Sequence, residues 1–418
     1  MPATSSDQAN GWRQTKIITA PDATQYDKLG AALALDGDYL AVGATDVDMK
    51  DITIQRGVVY LFARDQGGKN QWGLATKLQN ADDANDTSFG EALAISGELL
   101  AVGTPEITIG DNGRQGAVYL FARNPDNAAS QPGQWHLLKK LVAKDGTANA
   151  WFGMDVALDH DTVAVGAWGA DVGAHKGQGA VYLFARDQGG QDAWGLVQKV
   201  TSTDGQADDQ FGAHVALHGD LLAVSATDAT MNGLYQQGAV YTFQRTPATA
   251  TPWRQIAKIG TDQRFSPWHF SPSIALSDQR LVAGDPEGKQ GPGAVYLFGP
   301  SASGATTWTK LAKLTPQQGA TWDQFGAAVA GDTEHILIGA YEESKQRNQE
   351  GAVYLFARSP QKANEWTQSA KLLPSDGANN DWFGWHVALR GNTIAVVAQA
   401  ANVDAAQTIQ GKVYLFEH

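Results

Sequence analysis

Two histidines and an aspartate hold the same place in three similar stretches of the chain. His214 and His386 each follow a phenylalanine by three residues, as Asp155 follows Phe152. An imidazole beside a carboxylate can serve as a general base or help to hold a metal ion. The sequence lacks the companions that such chemistry usually needs: there is no HExxH, no nucleophile elbow and no glycine loop able to cradle a phosphate. Tryptophan offers different chemistry. Of the 13 tryptophans, Trp151, Trp168, Trp268, Trp322, Trp382 and Trp385 stand among Asp, Asn, His and Gly. A rigid, amphipathic indole can stack on a sugar ring while polar neighbours bind its hydroxyls. His269, beside Trp268, belongs to "SPWHFSPS", the stretch that departs furthest from its counterparts.

A third set of candidates is acidic. Asp22, Asp82, Asp145, Asp204 and Asp376 each precede a Phe-Gly pair or its equivalent by seven residues, and Asp27, Asp209, Asp323 and Asp381 precede it by two. Such oxygens suit a hard cation like calcium, which takes six to eight of them. They also suit turns, where Asp side chains satisfy loose backbone N–H groups.

The elements that must position these residues come from a repeat. The unit G-x-V-Y-x-F places tyrosines at Tyr60, Tyr119, Tyr182, Tyr241, Tyr296, Tyr354 and Tyr414, separated by 59, 63, 59, 55, 58 and 60 residues. Each unit reads as four short strands, exemplified by "FGEALAI", "LLAVG", "GAVYLF" and "WGLATKL", with Gly, Asp, Asn and Pro between them. No stretch keeps a helical period. In "AVYLF" the side chains on both faces are apolar, which fits a sheet squeezed between two neighbouring sheets. The sequence therefore predicts an all-β, seven-bladed β-propeller of four-stranded blades.

The ends predict how the ring closes. The chain stops after a third strand, "GKVYLFEH", and starts with a fourth, "GWRQTKII". One domain spans 1–418, with blades at about 26–80, 88–142, 151–201, 210–260, 269–314, 324–372 and 382–418, the last completed by 12–19. Seven tryptophans, Trp12 among them, open the fourth strands as framework. A lysine follows most of them by five residues, as Lys77 follows Trp72 and Lys199 follows Trp194, and reads as a charged guard on an exposed outer edge. Loops alternate between the ends of a blade, so the loops entering the first strand share one face, here the upper face, with those joining the second strand to the third. All the candidate tryptophans except Trp385 map to those loops, and Trp385 lies near the upper end of its strand.

Composition narrows the partners. The formal charge is -13, with 43% hydrophobic and 18% charged residues and 46 glycines. An acidic chain disfavours nucleic acid and anionic lipid surfaces. With no cysteine there is neither a disulfide nor a thiolate metal site. No window approaches a membrane span and no signal peptide is visible, so the chain reads as soluble, with a cell-surface or extracellular role compatible.

Phe-Gly at the start of the first strand, then "AVGA" or "VGT", then "GAVYLF", resembles the FG-GAP repeat of integrin alpha-chain and bacterial propellers. The pairs are Phe89-Gly90, Phe152-Gly153, Phe211-Gly212, Phe325-Gly326 and Phe383-Gly384, with Leu29-Gly30 in blade one and Phe270-Ser271 in blade five. The resemblance implies a seven-bladed propeller used for adhesion, lectin-like binding or as an accessory to an enzyme. Its cation-binding loop, Asp-x-Asp-x-Asp-Gly between the first and second strands, is replaced here by turns such as "LDGDYL" and "ISGELL". No cofactor is therefore expected and no integrin-type calcium site, while calcium at the acidic turns stays an open alternative.

Three functions fit. The first is a non-enzymatic propeller binding a glycan or protein surface through Trp151, Trp168, Trp268, His269, Trp322, Trp382, Trp385 and His386. The second is a protein-interaction scaffold, its specificity carried by variable loops such as "GATDVDMKDITIQRG" and "GDPEGKQGPG". The third is an enzyme using Asp155, His214 and His386 at the mouth of the axis.

Overall fold

Each copy of the repeat folds into strands that zigzag outward from a central axis. A computed structural model of the chain describes residues 11–22, 28–48, 55–80, 82, 88–124, 134–231, 233, 236–246, 251–260, 273–278, 280–286, 291–301, 307–344, 348–362, 364–403 and 409–418. Blade one comprises β2 (Leu29–Asp36), β3 (Tyr39–Asp48), β4 (Gln55–Ala63) and β5 (Gly73–Gln79). Blade two holds β6 (Ala92–Ser96), β7 (Leu99–Thr104), β8 (Ala117–Arg123) and β9 (Trp135–Leu141). Blade three holds β10 (Val156–Asp159), β11 (Thr162–Ala167), β12 (Ala180–Ala185) and β13 (Gly195–Val200). Blade four runs through β14 (Phe211–His218), β15 (Leu221–Ala226), β16 (Ala239–Arg245) and β17 (Trp253–Ile259). Blade five runs through β18 (Ile274–Ser277), β19 (Arg280–Asp285), β20 (Ala294–Pro300) and β21 (Trp308–Leu314). Blade six has β22 (Val329–Gly331), β23 (His335–Ala340), β24 (Ala352–Arg358) and β25 (Trp366–Leu372).

Blade seven is assembled from both ends of the chain. Its strands β26 (Phe383–Arg390), β27 (Thr393–Ala398) and β28 (Lys412–Glu417) are completed by β1 (Arg13–Ile18), which pairs antiparallel with β28. The closure expected from the truncated first and last units is the one observed. Among the described residues no helix is long and apolar enough to cross a membrane.

The third strand explains why its two faces are both apolar. In β8 the residues Ala117 to Phe121 are all buried. Val118 and Leu120 pack toward Phe152, Tyr182 and Phe184 of blade three, while Tyr119 and Phe121 join Val59 and Leu61 of blade one. The same exchange joins Val413 and Leu415 of blade seven to Leu29, Tyr60 and Phe62 of blade one, so the core is a closed ring of interfaces.

The Phe-Gly pair is the hinge of each interface. Phe152 is fully buried and stands edge-on to Tyr182 at 5.4 Å and to Phe184 at 6.1 Å. Its N–H donates to Gln115 O at 2.9 Å, stitching blade three to blade two. Gly153 has φ +92°, and a Cβ there would lie 2.5 Å from Ala117 O. Gly166, in the following strand, approaches Gly212 of blade four so closely that a Cβ would stand 2.1 Å from its carbonyl oxygen. Only glycine fits such backbone contacts. At the seam Val397 takes this second glycine's place and packs against Gly30, while Leu29 N–H donates to Gln410 O at 2.9 Å.

The fourth-strand lysines are not edge guards. Lys77 Nζ lies 2.6 Å from Asp22 and 5.0 Å from the centre of the Tyr60 ring, and Tyr60 Oη donates to the same carboxylate at 2.8 Å. The Tyr–Asp–Lys triangle recurs as Tyr119, Asp82, Lys140 and as Tyr182, Asp145, Lys199 and Tyr241, Asp204, Lys258. In blade six Glu343 replaces the aspartate, receiving Tyr354 at 2.6 Å and Lys371 at 2.5 Å. In blade seven the register of β1 puts Ile17 opposite Tyr414, and Lys412 from the start of β28 serves Asp376 instead. Lysine sits there because a carboxylate and an aromatic face both attract it.

Candidate functional site

The position three residues after the Phe-Gly phenylalanine turns inward at the axis. Ala32, Ala92, Asp155, His214, Ser273, Ala328 and His386, one from each blade, line a single cavity of about 790 Å³. Four of the seven are small or hydroxylic, which keeps the mouth open. The other three gather polar chemistry on blades three, four and seven.

Asp155 is held on three sides. Its carboxylate accepts from the N–H groups of Val156 and Val215, both at 2.9 Å, and lies 3.2 Å from His214 Nδ1. A carboxylate accepts, so Nδ1 donates to it and Nε2 is left for another partner. Burial pushes His386 down to about 4, and nearby His214 adds to the shift, outweighing a hydrogen bond to the Ala31 backbone and the attraction of Asp155. His386 is therefore neutral at neutral pH. Ser273 Oγ accepts from Val329 N–H at 3.1 Å, pointing to blade six rather than to His214 in blade four.

Aromatic walls rise above this ring. Trp151 lines the cavity and stacks on Trp168 at 5.6 Å with planes 25° apart. Trp382 and Trp385 both line it and stack on each other at 5.5 Å and 20°, with Tyr341 edge-on to Trp385 at 4.8 Å. Blades three and seven are three steps apart in a ring of seven, so the two pairs stand on well-separated sides of the mouth. The residue before each phenylalanine is left-handed in most blades, with φ 54° at Trp151, 57° at Trp382 and 47° at Lys28. This tight turn, closed by Met154 N–H to Trp151 O and by Trp385 N–H to Trp382 O, recurs through the repeat. It brings Lys28, Trp151 and Trp382 to the cavity wall.

Of the residues expected at the site, Trp151, Trp382, Trp385 and His386 thus meet at one cavity, together with Asp155 and His214. Trp168 supports Trp151 from behind. Trp322 stands apart, 60% exposed and outside the lining. Trp268 and His269 lie outside the described residues. Tyr341 was not anticipated, yet it occupies the position of Trp168 in its own blade, directly after the second strand, where Pro105 and Gln399 also reach the cavity. Aligning that position across the repeat would have found it. Glu106, exposed at the rim, escaped notice because no repeated motif contains it.

The acidic turns serve the repeat. Asp22, Asp82, Asp145, Asp204 and Asp376 are the acceptors of the tyrosine and lysine triangles already described. At Asp22, Asp145, Asp204 and Asp376 burial raises the carboxyl, but the lysine and tyrosine hydrogen bonds outweigh it and hold each below the ordinary aspartate value. Asp209, Asp323 and Asp381 accept from the backbone N–H three residues earlier, Gln206 at 2.7 Å, Ala320 at 2.6 Å and Ala378 at 2.7 Å. Asp27 lies outside the described residues. Among the described residues no group of three or more His, Asp or Glu is placed to hold a metal ion.

A second cavity, of about 690 Å³, lies at the opposite end of the seam between blades one and seven. Its charges are spent on one another: Arg64 pairs with Asp38 at 2.9 Å and Glu417 at 2.6 Å, and Arg390 with Asp36 at 2.8 Å. It works as a clasp for the ring.

The family model described as FG-GAP repeat matches residues 12–62, 72–121, 135–184, 194–243, 308–356 and 366–416. Each match runs from a fourth strand through the third strand of the next blade, so the sequence unit is one strand out of phase with the blade. That offset is what lets β1 close the ring. The search of curated proteins finds no match. Among solved structures, the crystal structure of the Myceliophteria thermophila Cps50 (Swd1) beta-propeller domain is similar with a TM-score of 0.53 at 12% identity, over 97% of this chain and 99% of that one. At that identity the likeness is one of fold.

Proposed function

This chain belongs to the FG-GAP repeat family, and on that premise we propose that it is a non-catalytic recognition propeller that holds a glycan in the upper mouth of its axis. One observation carries the reading: Trp151, backed by the stacked Trp168, and the stacked pair Trp382 and Trp385 line the same cavity as the Asp155–His214 pair and His386. A pyranose ring presents an apolar face to an indole and hydroxyls at its edge. His214 Nε2 accepts from such a hydroxyl, and the rim carboxylate of Glu106 accepts from another. A volume of about 790 Å³ admits a short oligosaccharide.

Catalysis is the weaker use of the same residues. A His–Asp pair needs a nucleophile or a positioned water, and Ser273 is turned away from it. A protein partner on the upper face is a second reading, carried by the exposure of Trp322. A glycan array decides between them. Saturable hits lost in Trp151→Ala and Trp382→Ala support the proposal, and a folded protein that is blank across the array removes it.

A further inference from the structure

We propose that Asp155 is a positioning residue of this mouth: acting through His214, it presents an acceptor nitrogen to the ligand, and so selects neutral glycans with free hydroxyls over O-methylated or sulfated ones. The inference rests on the glycan reading and names the class of glycan within it.

Both oxygens of Asp155 are held. Oδ1 accepts from the Val156 N–H and Oδ2 from the Val215 N–H, each at 2.9 Å, so a carboxylate of blade three is fastened to the backbone of blade four. The same Oδ2 lies 3.2 Å from His214 Nδ1. The backbone of His214 is fastened too, its N–H donating to Ser225 Oγ at 2.8 Å. In its neutral form an imidazole has one N–H, and the carboxylate claims it for Nδ1, so that Nε2 can only accept. The His214 side chain is 40% exposed and lines the cavity, where a ligand meets that nitrogen.

The other axial positions add acceptors or nothing. Ala32, Ala92 and Ala328 have no polar side-chain atom, and Ser273 Oγ is engaged by the Val329 N–H. His386 is neutral and hydrogen-bonded to the Ala31 backbone, and a ring proton given to that carbonyl leaves its second nitrogen an acceptor. Glu91 and Glu106 line the same cavity as Asp155, and Lys28 is the one lysine or arginine in its wall. A hydroxyl has the proton that these acceptors need. A methyl ether meets them with lone pairs alone, and a sulfate adds like charge.

The test probes an array of glycans printed in free, O-methylated and O-sulfated forms with the wild type, His214→Ala and Asp155→Ala. Beside it, NMR of the histidine ring nitrogens of the ligand-free wild type at neutral pH reads which nitrogen of His214 is protonated. The expected result is that the wild type binds the free form at least about tenfold tighter than the methylated one, that it binds the sulfated form more weakly still, and that both variants narrow these gaps. The expected spectrum shows His214 protonated at Nδ1 and bare at Nε2. A preference undiminished in His214→Ala comes from bulk alone and overturns the proposal, as does a spectrum with Nε2 protonated. His214→Ala and the spectrum decide the matter if Asp155→Ala does not fold. Free and methylated forms bound alike remove this inference and leave the glycan reading standing, whereas a blank array removes both.

Discussion

Trp382 stacks on Trp385 with ring centroids 5.5 Å apart and planes 20° from parallel, although the backbone at Trp382 is left-handed with φ 57°. A left-handed residue with a side chain costs about 1–2 kcal/mol relative to the right-handed region. The repeat imposes this turn on Lys28 and Gln210 as well, so the conformation belongs to the fold. What blades three and seven add is an indole at that corner.

The walls and the outlier should separate by mutation. Trp151→Ala and Trp382→Ala are expected to weaken ligand binding at least about tenfold, the loss of one stacked aromatic face. Trp322→Ala should leave it unchanged, because Trp322 does not line the cavity. Titration of each variant alongside its thermal melt checks that the loss is one of binding.

The carboxylates of the repeat should differ in weight by burial. Asp145→Asn removes a partner of Lys199 that is 56% exposed, and about 1 kcal/mol or less is expected. Glu343, at 3% exposure, receives Lys371 and the hydroxyl of Tyr354, so Glu343→Gln should cost about 3 kcal/mol by leaving the lysine without its counter-charge. Denaturant unfolding of the two variants gives the comparison.

His386 makes stability depend on pH in a defined window. Its folded value, about 4, lies below the ordinary 6.5, so the unfolded chain takes up a proton that the folded chain refuses. The stabilisation is complete above pH 6.5 and is lost as pH falls toward 4. The lowered aspartates act further down, their contribution being lost only below about 3.8, the ordinary value. Melting temperature followed from pH 7 to pH 4.5 should fall less steeply in His386→Asn than in the wild type.

Gly166→Ala places a methyl group 2.1 Å from the Gly212 carbonyl oxygen, where backbone faces backbone and neither blade can yield alone. A loss on the order of 3 kcal/mol is expected. Gly219→Ala is the control for backbone strain without a clash, since φ there is +55° and nothing lies within 4 Å. Denaturant midpoints should rank the two variants in that order.

The ring was legible because its signals are local and periodic. Tyr119 and its six counterparts mark the third strand, and the incomplete first and last units show how the ends must meet. The roles of Asp145 and Lys199 were not legible, because their triangle with Tyr182 closes on Asp145 across separations of 37 and 54 residues. Read alone, Lys199 looks like an edge charge and Asp145 like a turn residue or a cation ligand. The site was half legible. Trp151, Trp382 and His386 belong to repeated positions, so alternation of loops placed them on one face. Tyr341 was missed because a tyrosine after the second strand resembles core until it is aligned with Trp168. The first three strands of blade five, whose pair reads Phe270-Ser271, fall outside the repeat matches, and the residues around Trp268 lie outside the described ones.

The central claim is that the upper axial mouth holds a sugar between tryptophan walls. Its most direct test is tryptophan emission of the wild type and of Trp382→Ala, titrated with the strongest sugar from an array screen. The account predicts saturable quenching in the wild type that is lost in the variant while the melt of the variant shows a folded protein. Quenching of equal size and midpoint in both proteins would contradict it.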